Sequence, residues 1–419
     1  MYSLTEAHER RLLWLLMLTQ FTLIMDFMVM MPLGPQLMLA FHITPAQFAA
    51  AVSTYSWCAG LSGLLGAAYI DRFDRRKLML AAYALFALSN LACALADSYA
   101  LLLASRALAG VSGGVLGSIV MAIIADVIPA ARRGAATGTV MTAFAIASVI
   151  GVPIGVLLGA HFNWAAPFWL LVVLSVLIWV VGSRVVPKLD QHLSQHPVPL
   201  SQTLPNLVKL LTDPRHMNAF VLTFILTVSH MLVIPFIAPT LVANHGVAPE
   251  QLSWMYMAGG AATFFTARYI GRLADRHGMH VVLRVLVLVS LLPVLLITHL
   301  PDVTFTAMLL IFPFFMILVS GRMVPLQALL TTVPQPAQRG AFLSANNAVQ
   351  ALGIGCGAWL GGMMLSSTAV GGRIDGYGTV GWVAVVVAAC AVLWANRVTP
   401  ASAPVAERSM VGEVGEAGR

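Results

Sequence analysis

Long apolar stretches alternate with short polar ones along almost the whole chain. Twelve can be marked, near 12–40, 46–70, 78–96, 99–125, 134–160, 165–186, 216–243, 250–272, 281–300, 304–330, 340–366 and 378–397. Each approaches or exceeds the ~20 residues that an α-helix needs to cross a bilayer's hydrocarbon core. The pattern predicts twelve transmembrane helices. From about 187 to 215 apolar character falls while Pro, His and Gln rise. The chain therefore divides into a six-helix bundle over 1–186, a linker over 187–215, and a second six-helix bundle over 216–398. Within the linker, residues 200–211 fit a helix lying on the membrane face as well as they fit plain linker. Residues 399–419 are small and polar or charged without any period, which predicts a disordered tail.

The two halves resemble each other in detail. Asp71-Arg72 follows the second stretch, and Asp275-Arg276 follows the eighth, 204 residues later. The same offset takes Thr19 to Thr223, Asp26 to His230, Pro35 to Pro239 and Leu37 to Leu241. Offsets of 205 and 206 take Pro129 to Pro334, Arg133-Gly134 to Arg339-Gly340, and Gly151 and Gly155 to Gly357 and Gly361. A membrane chain built from two similar halves can rock one against the other around a central site. That predicts pseudo-symmetric bundles and points to transport.

Composition agrees. Of 419 residues, 59% are hydrophobic and 9% charged, and mean hydropathy is +0.88. Soluble domains carry roughly 25% charged residues, so the solvent of this chain is lipid. The net charge of +7 could suggest nucleic acid, but no basic patch interleaves with aromatics. With a cytoplasmic N-terminus, the Lys and Arg of the connections lie on the cytoplasmic side, and only Arg373 falls in an outside loop. This is the positive-inside bias. It places the chain in the cytoplasmic (inner) membrane with both termini in the cytoplasm. The first stretch is too long for a signal-peptide core and no small-residue cleavage site follows it, so it should remain as a helix. Cys58, Cys93, Cys356 and Cys390 all fall inside apolar stretches without metal-ligand spacing, as small packing residues do. No metal or cofactor is expected.

Asp71-Arg72-Phe73-Asp74-Arg75-Arg76 ends the second stretch, and Gly271-Arg272-Leu273-Ala274-Asp275-Arg276-His277-Gly278 ends the eighth. These segments resemble the Gly-x-Leu-x-Asp-Arg-x-Gly-Arg-Arg motif of the major facilitator superfamily. The first copy has Ala67 and Asp74 where that motif has Gly, and the second ends in Met279-His280. Arg106 with Gly110 resembles the family's fourth-helix motif Arg-x-x-x-Gly. Gly110, Gly113 and Gly117 recur with it at helical spacing, so the face should let a neighbouring backbone approach closely. Gly151, Pro153, Gly155 and Gly159, with Ala147, resemble the Gly- and Pro-rich fifth-helix motif associated with antiporters of the superfamily. The likeness spans about residues 10 to 398. It is closest to the branch of drug:proton antiporters and arabinose-efflux permeases.

An Asp at a helix end beside several Arg can pair with charges or with a helix N-terminus on the facing bundle. Asp71, Arg72, Arg76, Asp275 and Arg276 are therefore expected to form a cytoplasmic gate. Asp26 is the only one of sixteen acidic residues near the middle of a stretch, ~21 Å into a ~30 Å core. Burial opposes ionisation there, while Arg106, entering from the opposite side to a comparable depth, favours the charged form. The expectation is a carboxyl that takes and releases a proton, with Arg106 as partner and His230 in the equivalent place of the second half. A fixed structural ion pair and a hydrogen-bonded core histidine are the plainer alternatives.

Thr22, Met30, Asn346, Asn347 and Gln350 are expected to line the substrate cavity. The methionines of the first helix suit an adaptable apolar pocket. Gly110-Val111-Ser112-Gly113-Gly114 fits the Gly-x-Ser-x-Gly hydrolase pattern, but that needs a strand–turn–helix elbow, and the segment lies mid-helix. No phosphate-binding loop of the Gly-x4-Gly-Lys-Ser type is present, so ATP-driven pumping is unsupported. The expectation is a monomeric secondary transporter, not an enzyme, exporting apolar or amphipathic small molecules by alternating access with the proton gradient as its energy source. The alternatives are a narrow sugar or metabolite exporter, and a transport-dead sensor or scaffold of the same fold.

Overall fold

The computed structural model describes residues 5–129, 132–190, 205, 208–335, 338–369 and 371–401, without the side chains of 67–69 and 71. The first half contains α1 (Glu6–Val29), α2 (Gly34–Ala40), α3 (Pro45–Tyr69), α4 (Arg75–Ala94), α5 (Tyr99–Val127), α6 (Arg133–Ile146), α7 (Val152–His161) and α8 (Ala166–Val185). The second contains α9 (Pro214–Val233), α10 (Ile237–His245), α11 (Pro249–His277), α12 (Met279–Thr298), α13 (Phe305–Gly321), α14 (Met323–Leu330), α15 (Arg339–Met363) and α16 (Tyr377–Trp394).

Among the described residues, ten spans are long and apolar enough to cross a membrane. Helices α11, of 29 residues, and α15, of 25, occupy the eighth and eleventh places. They are less apolar because α11 ends in Arg268, Arg272, Asp275 and Arg276, while α15 carries Asn346, Asn347, Gln350 and a row of glycines. The protein is thus an all-α membrane protein of two six-helix bundles. It has one face that carries both chain ends and an opposite, distal face. A single two-residue hairpin, β1 (Ser366–Ser367) with β2 (Ile374–Asp375), joins α15 to α16 on the distal face. Of the linker, residues 208–212 are helical; most of the 200–211 segment, and the tail after residue 401, lie outside the described residues.

Capping fixes where several spans begin. Thr44 accepts from the Gln47 amide while the Gln47 side chain accepts from that of Thr44, with Pro45 at the first helical position, satisfying otherwise orphaned donors. Asp74 accepts from the Arg76 and Lys77 amides, and Asp213 from the Arg215 amide just before Pro214. Four spans are not the continuous helices that hydropathy suggests. The first breaks between α1 and α2 at Met30–Leu33, and the seventh breaks at Ile234–Phe236. Residues 30 and 234 are again 204 apart, and a proline lies inside each break. The fifth widens into a π-turn at Ala147–Gly151, just before Pro153. The tenth bends between Gly321 and Met323, with Pro325 removing a backbone donor.

Glycine sets the contacts around both inner helices. A Cβ on Gly155 would lie 2.3 Å from Val29, and one on Gly159 2.5 Å from Leu33. A Cβ on Gly357 would lie 2.7 Å from the Val228 carbonyl, and one on Gly361 2.6 Å from that of Leu232. The fifth span therefore packs on the first as the eleventh packs on the seventh. The repeat in the sequence is a repeat in packing.

The halves meet along two seams, α3 with α15 and α7 with α11. On the first seam, a Cβ on Gly362 would overlap Ala49, and one on Gly60 would press the Ala348 carbonyl. On the second, Ser253 donates to the Pro153 carbonyl at 3.3 Å and Gly260 abuts the Ser148 carbonyl. One turn nearer the chain ends, Phe144, Phe264 and Ser344 are exposed. The first seam continues to Leu64, which packs against the apolar cluster of the second half. Burial follows the same division. One apolar cluster, with Met30, Leu33, Phe48, Phe236 and Leu241, joins both halves on the distal side. On the side of the chain ends each half has its own buried cluster, with Leu64 of the first half packed against that of the second.

Candidate functional site

Asp26 sits near the end of α1, and Arg106 two turns into α5. The Arg106 guanidinium donates through Nη1 to Asp26 Oδ1 at 2.7 Å, and both side chains are enclosed, at 1% and 0% exposure. Two aromatics hold the cation from its other sides, with the Arg106 Cζ 4.7 Å from the Tyr55 ring centre and 6.0 Å from that of Phe168. Tyr55 reaches this place because α3 and α5 pack backbone to backbone. A Cβ on Gly110 would lie 2.2 Å from the Tyr55 carbonyl, and one on Gly114 2.2 Å from that of Ala59. Asp26 Oδ2 and Arg106 Nε have no hydrogen-bond partner. The pair is thus an ion pair with a cation–π support beneath it and one free carboxylate oxygen. Phe27 stacks on Tyr55, ring centres 5.6 Å apart, and shields it.

His230 lies near mid-span in α9, buried, with Nε2 unpartnered. Its neighbour is Arg322, in the bend between α13 and α14. Arg322 is 0% exposed, donating only at 3.4 Å to Ser290 Oγ and 3.5 Å to Ser229 Oγ. The sequence reading passed over Arg322 by searching the spans for carboxylates. An arginine in the middle of the apolar stretch 304–330 was the available signal.

The expected cavity residues are not gathered into one lining. Thr22 shares a hydrogen bond with the Tyr83 hydroxyl at 2.7 Å and is sealed inside the first bundle. Met30 belongs to the closed distal cluster. Asn346 accepts from Thr223 at 2.8 Å and is buried, tying α15 to α9. Asn347 is exposed, and Gln350 is half-buried beside Gln327, at 3.5 Å. Of the five, Asn347 and Gln350 keep exposed surface.

On the face of the chain ends, Arg72, Asp275 and Arg276 are exposed, and Arg76 donates to the Ser183 carbonyl. The Asp71 side chain lies outside the described residues. Two pairs within the first bundle were not foreseen, Arg75 with Asp126 at 3.1 Å and Arg132 with Glu9, bidentate at 3.0 Å. Gly151, Pro153, Gly155 and Gly159 form the packing seam described above. Ser112 donates to the Leu108 and Ala109 carbonyls within its own helix, so the hydrolase pattern is a helix turn. Among the described residues, no group of three or more His, Cys, Asp or Glu is placed to hold a metal.

Two similar bundles of membrane-spanning helices that meet along two seams fit a membrane transporter. A profile described as Major Facilitator Superfamily matches residues 16–228 and, a second time, residues 219–413. The chain belongs to that superfamily. It is a transporter of the general secondary-transporter kind, not an enzyme. Similar solved structures include a bacterial homolog of the human lysosomal transporter Spinster in an inward-facing and occupied conformation. That structure is 16% identical with a TM-score of 0.78, over 96% of this chain and 100% of that one. A D-xylose–proton symporter is 16% identical at 0.74, over 93% and 96%. The nucleoside transporter NupG is 13% identical at 0.72, over 94% and 100%. At these identities the likeness is one of fold.

Proposed function

We propose that the protein exports small apolar or amphipathic molecules in exchange for protons, of the drug:proton antiporter kind, with Asp26 as the proton carrier. The observation that carries this is the form of the Asp26–Arg106 pair. Oδ1 is held by the guanidinium, while Oδ2 has no partner and is the oxygen open to a proton. Protonation would leave Arg106 without a counter-charge, and the Tyr55 face at 4.7 Å gives the cation a second place of rest, worth ~0.5–2 kcal/mol. Both protonation states are thus accommodated without dismantling the bundle. Asp26 also lies on α1 beside the fifth-span glycine seam, where Gly151 and Gly155 touch Met25 and Val29. A change at the carboxylate therefore bears directly on the span that meets α11 of the other half. On this reading Asn347 and Gln350, which keep exposed surface, contact the substrate, and the basic segments with Asp71 and Asp275 form the cytoplasmic gate.

The test is transport in proteoliposomes with and without an imposed pH gradient, over a panel of labelled cationic, neutral and anionic amphiphiles. Accumulation should follow the gradient for at least one class. Accumulation indifferent to the gradient across the panel overturns proton coupling, and response to one compound alone points to a narrow exporter. Because basic residues crowd the face of the chain ends, that face is cytoplasmic. A cysteine introduced at Ser201 in a cysteine-free background should escape a membrane-impermeant maleimide in intact cells and react after permeabilisation. Labelling in intact cells reverses the orientation.

A further inference from the structure

The two bundles differ in charge. Arg106 has a carboxylate at 2.7 Å and two aromatic faces; Arg322 has only two serine hydroxyls at 3.4 and 3.5 Å. Both hydroxyls already donate elsewhere, Ser229 to the Ala384 carbonyl at 3.0 Å and Ser290 to that of Val287 at 2.7 Å, so they face the guanidinium with lone pairs alone. Arg322 Nε has no partner, nor does the Nε2 of His230, the residue next to Ser229. Among the described residues, none of the acids of the second half lies in the interior of a span: Asp213, Glu250, Asp275, Asp302 and Asp375 all fall at span ends or in connections. The charges buried in the interior of the spans are therefore Asp26, Arg106 and Arg322, a net positive set before His230 is considered, while Arg268 of α11 is exposed. A cation enclosed in a low-dielectric interior without a counter-ion is costly to keep.

We infer that Arg322 and His230 form an anion site in the second bundle, which takes the carboxylate of an amphipathic organic anion as the missing counter-charge. The guanidinium offers Nε beside an Nη in the fork that suits a carboxylate, and its present bonds to the serines are long enough to yield. Leu226, Val287 and Leu326, each about one helical turn from Ser229, Ser290 and Arg322, belong to one apolar cluster, which suits a hydrocarbon body. Arg322 is enclosed in this state, so the anion reaches it as the bundle rearranges during the cycle. This deepens the export reading by naming a substrate class, and rests on it only for the direction of transport.

Binding to the purified full-length protein in detergent, without any gradient, tests the site apart from proton coupling. The probes are octanoate, octanamide and octylammonium, which share chain length and differ in head-group charge. Octanoate should bind about tenfold more tightly than octanamide, and octylammonium least. Arg322→Gln should abolish that preference, by weakening octanoate binding more than octanamide binding, and Arg322→Lys should keep part of it. His230→Gln, which leaves the cation in place, should weaken octanoate binding about threefold and serves if Arg322→Gln fails to fold. Equal binding of octanoate and octanamide to the unaltered protein overturns the inference. So does an undiminished preference in folded Arg322→Gln, or in His230→Gln where Arg322→Gln cannot be purified.

Discussion

Gly110→Val is expected to abolish the folded first bundle. A Cβ at this position would stand 2.2 Å from the Tyr55 carbonyl oxygen and 2.9 Å from the Cys58 Cβ. The obstruction is main chain, so no rotamer relieves it, and α3 must move away from α5 by more than an ångström. Overpacking of a flexible core costs ~1–3 kcal/mol, and a backbone-to-backbone wedge lies above that range. The displacement would also carry the Tyr55 ring off Arg106. Gly117→Val is the control, because a Cβ there meets nothing within 4 Å. Size-exclusion profiles and thermal melting in detergent should show aggregated or strongly destabilised Gly110→Val beside near-normal Gly117→Val. A monodisperse Gly110→Val with an unshifted melting temperature contradicts the close contact.

The same glycines show where sequence patterning reached its limit. Spacing alone put Gly110, Gly113 and Gly117 on one packing face. The structure uses Gly110 and Gly114 against α3, leaves room at Gly113 only for a Cβ 3.0 Å from the Tyr55 hydroxyl, and leaves Gly117 open. Positions three and four apart are both neighbours on a helix, so the neighbour's crossing angle decides which row is used, and one sequence does not contain that angle. Span count and the duplication were legible because they depend on length, hydropathy and register. The helix breaks were signalled by Pro32, Pro35, Pro153, Pro235 and Pro325, but hydropathy averages over them.

The site was legible in its charged pair and not in its lining. A lone carboxylate and an arginine at comparable depth on helices of opposite direction have few other partners in lipid, and Asp26 and Arg106 do meet. Polar residues have more choices. Thr22 found Tyr83, and Asn346 found Thr223, because an amide or hydroxyl in hydrocarbon is as well satisfied by a neighbouring helix as by a cavity. Tyr55 gave no signal in sequence, since its role depends on the α3–α5 approach.

The second large effect concerns coupling. Asp26→Asn keeps the size of the side chain and lets its amide oxygen accept from Arg106, but it cannot take up or release a proton. Losing the counter-charge of a buried cation costs ~3–5 kcal/mol when nothing replaces it. Here the Tyr55 face and the amide oxygen offset part of that, so the variant is expected to fold. If Asp26 carries the proton, Asp26→Asn should exchange substrate across a proteoliposome membrane at zero gradient, yet no longer concentrate it when a pH gradient is imposed. Arg106→Gln should behave differently. It leaves a carboxylate enclosed without a cation, which favours the protonated form, so the carrier is held loaded and exchange slows as well. The contrast separates a proton carrier from a structural ion pair, for which both substitutions would lower stability and transport together and leave the response to the gradient unchanged. Accumulation by Asp26→Asn at the unaltered rate and pH dependence places coupling elsewhere, and the next residue to substitute is then His230, whose unpartnered Nε2 is the remaining proton-accepting atom at comparable depth.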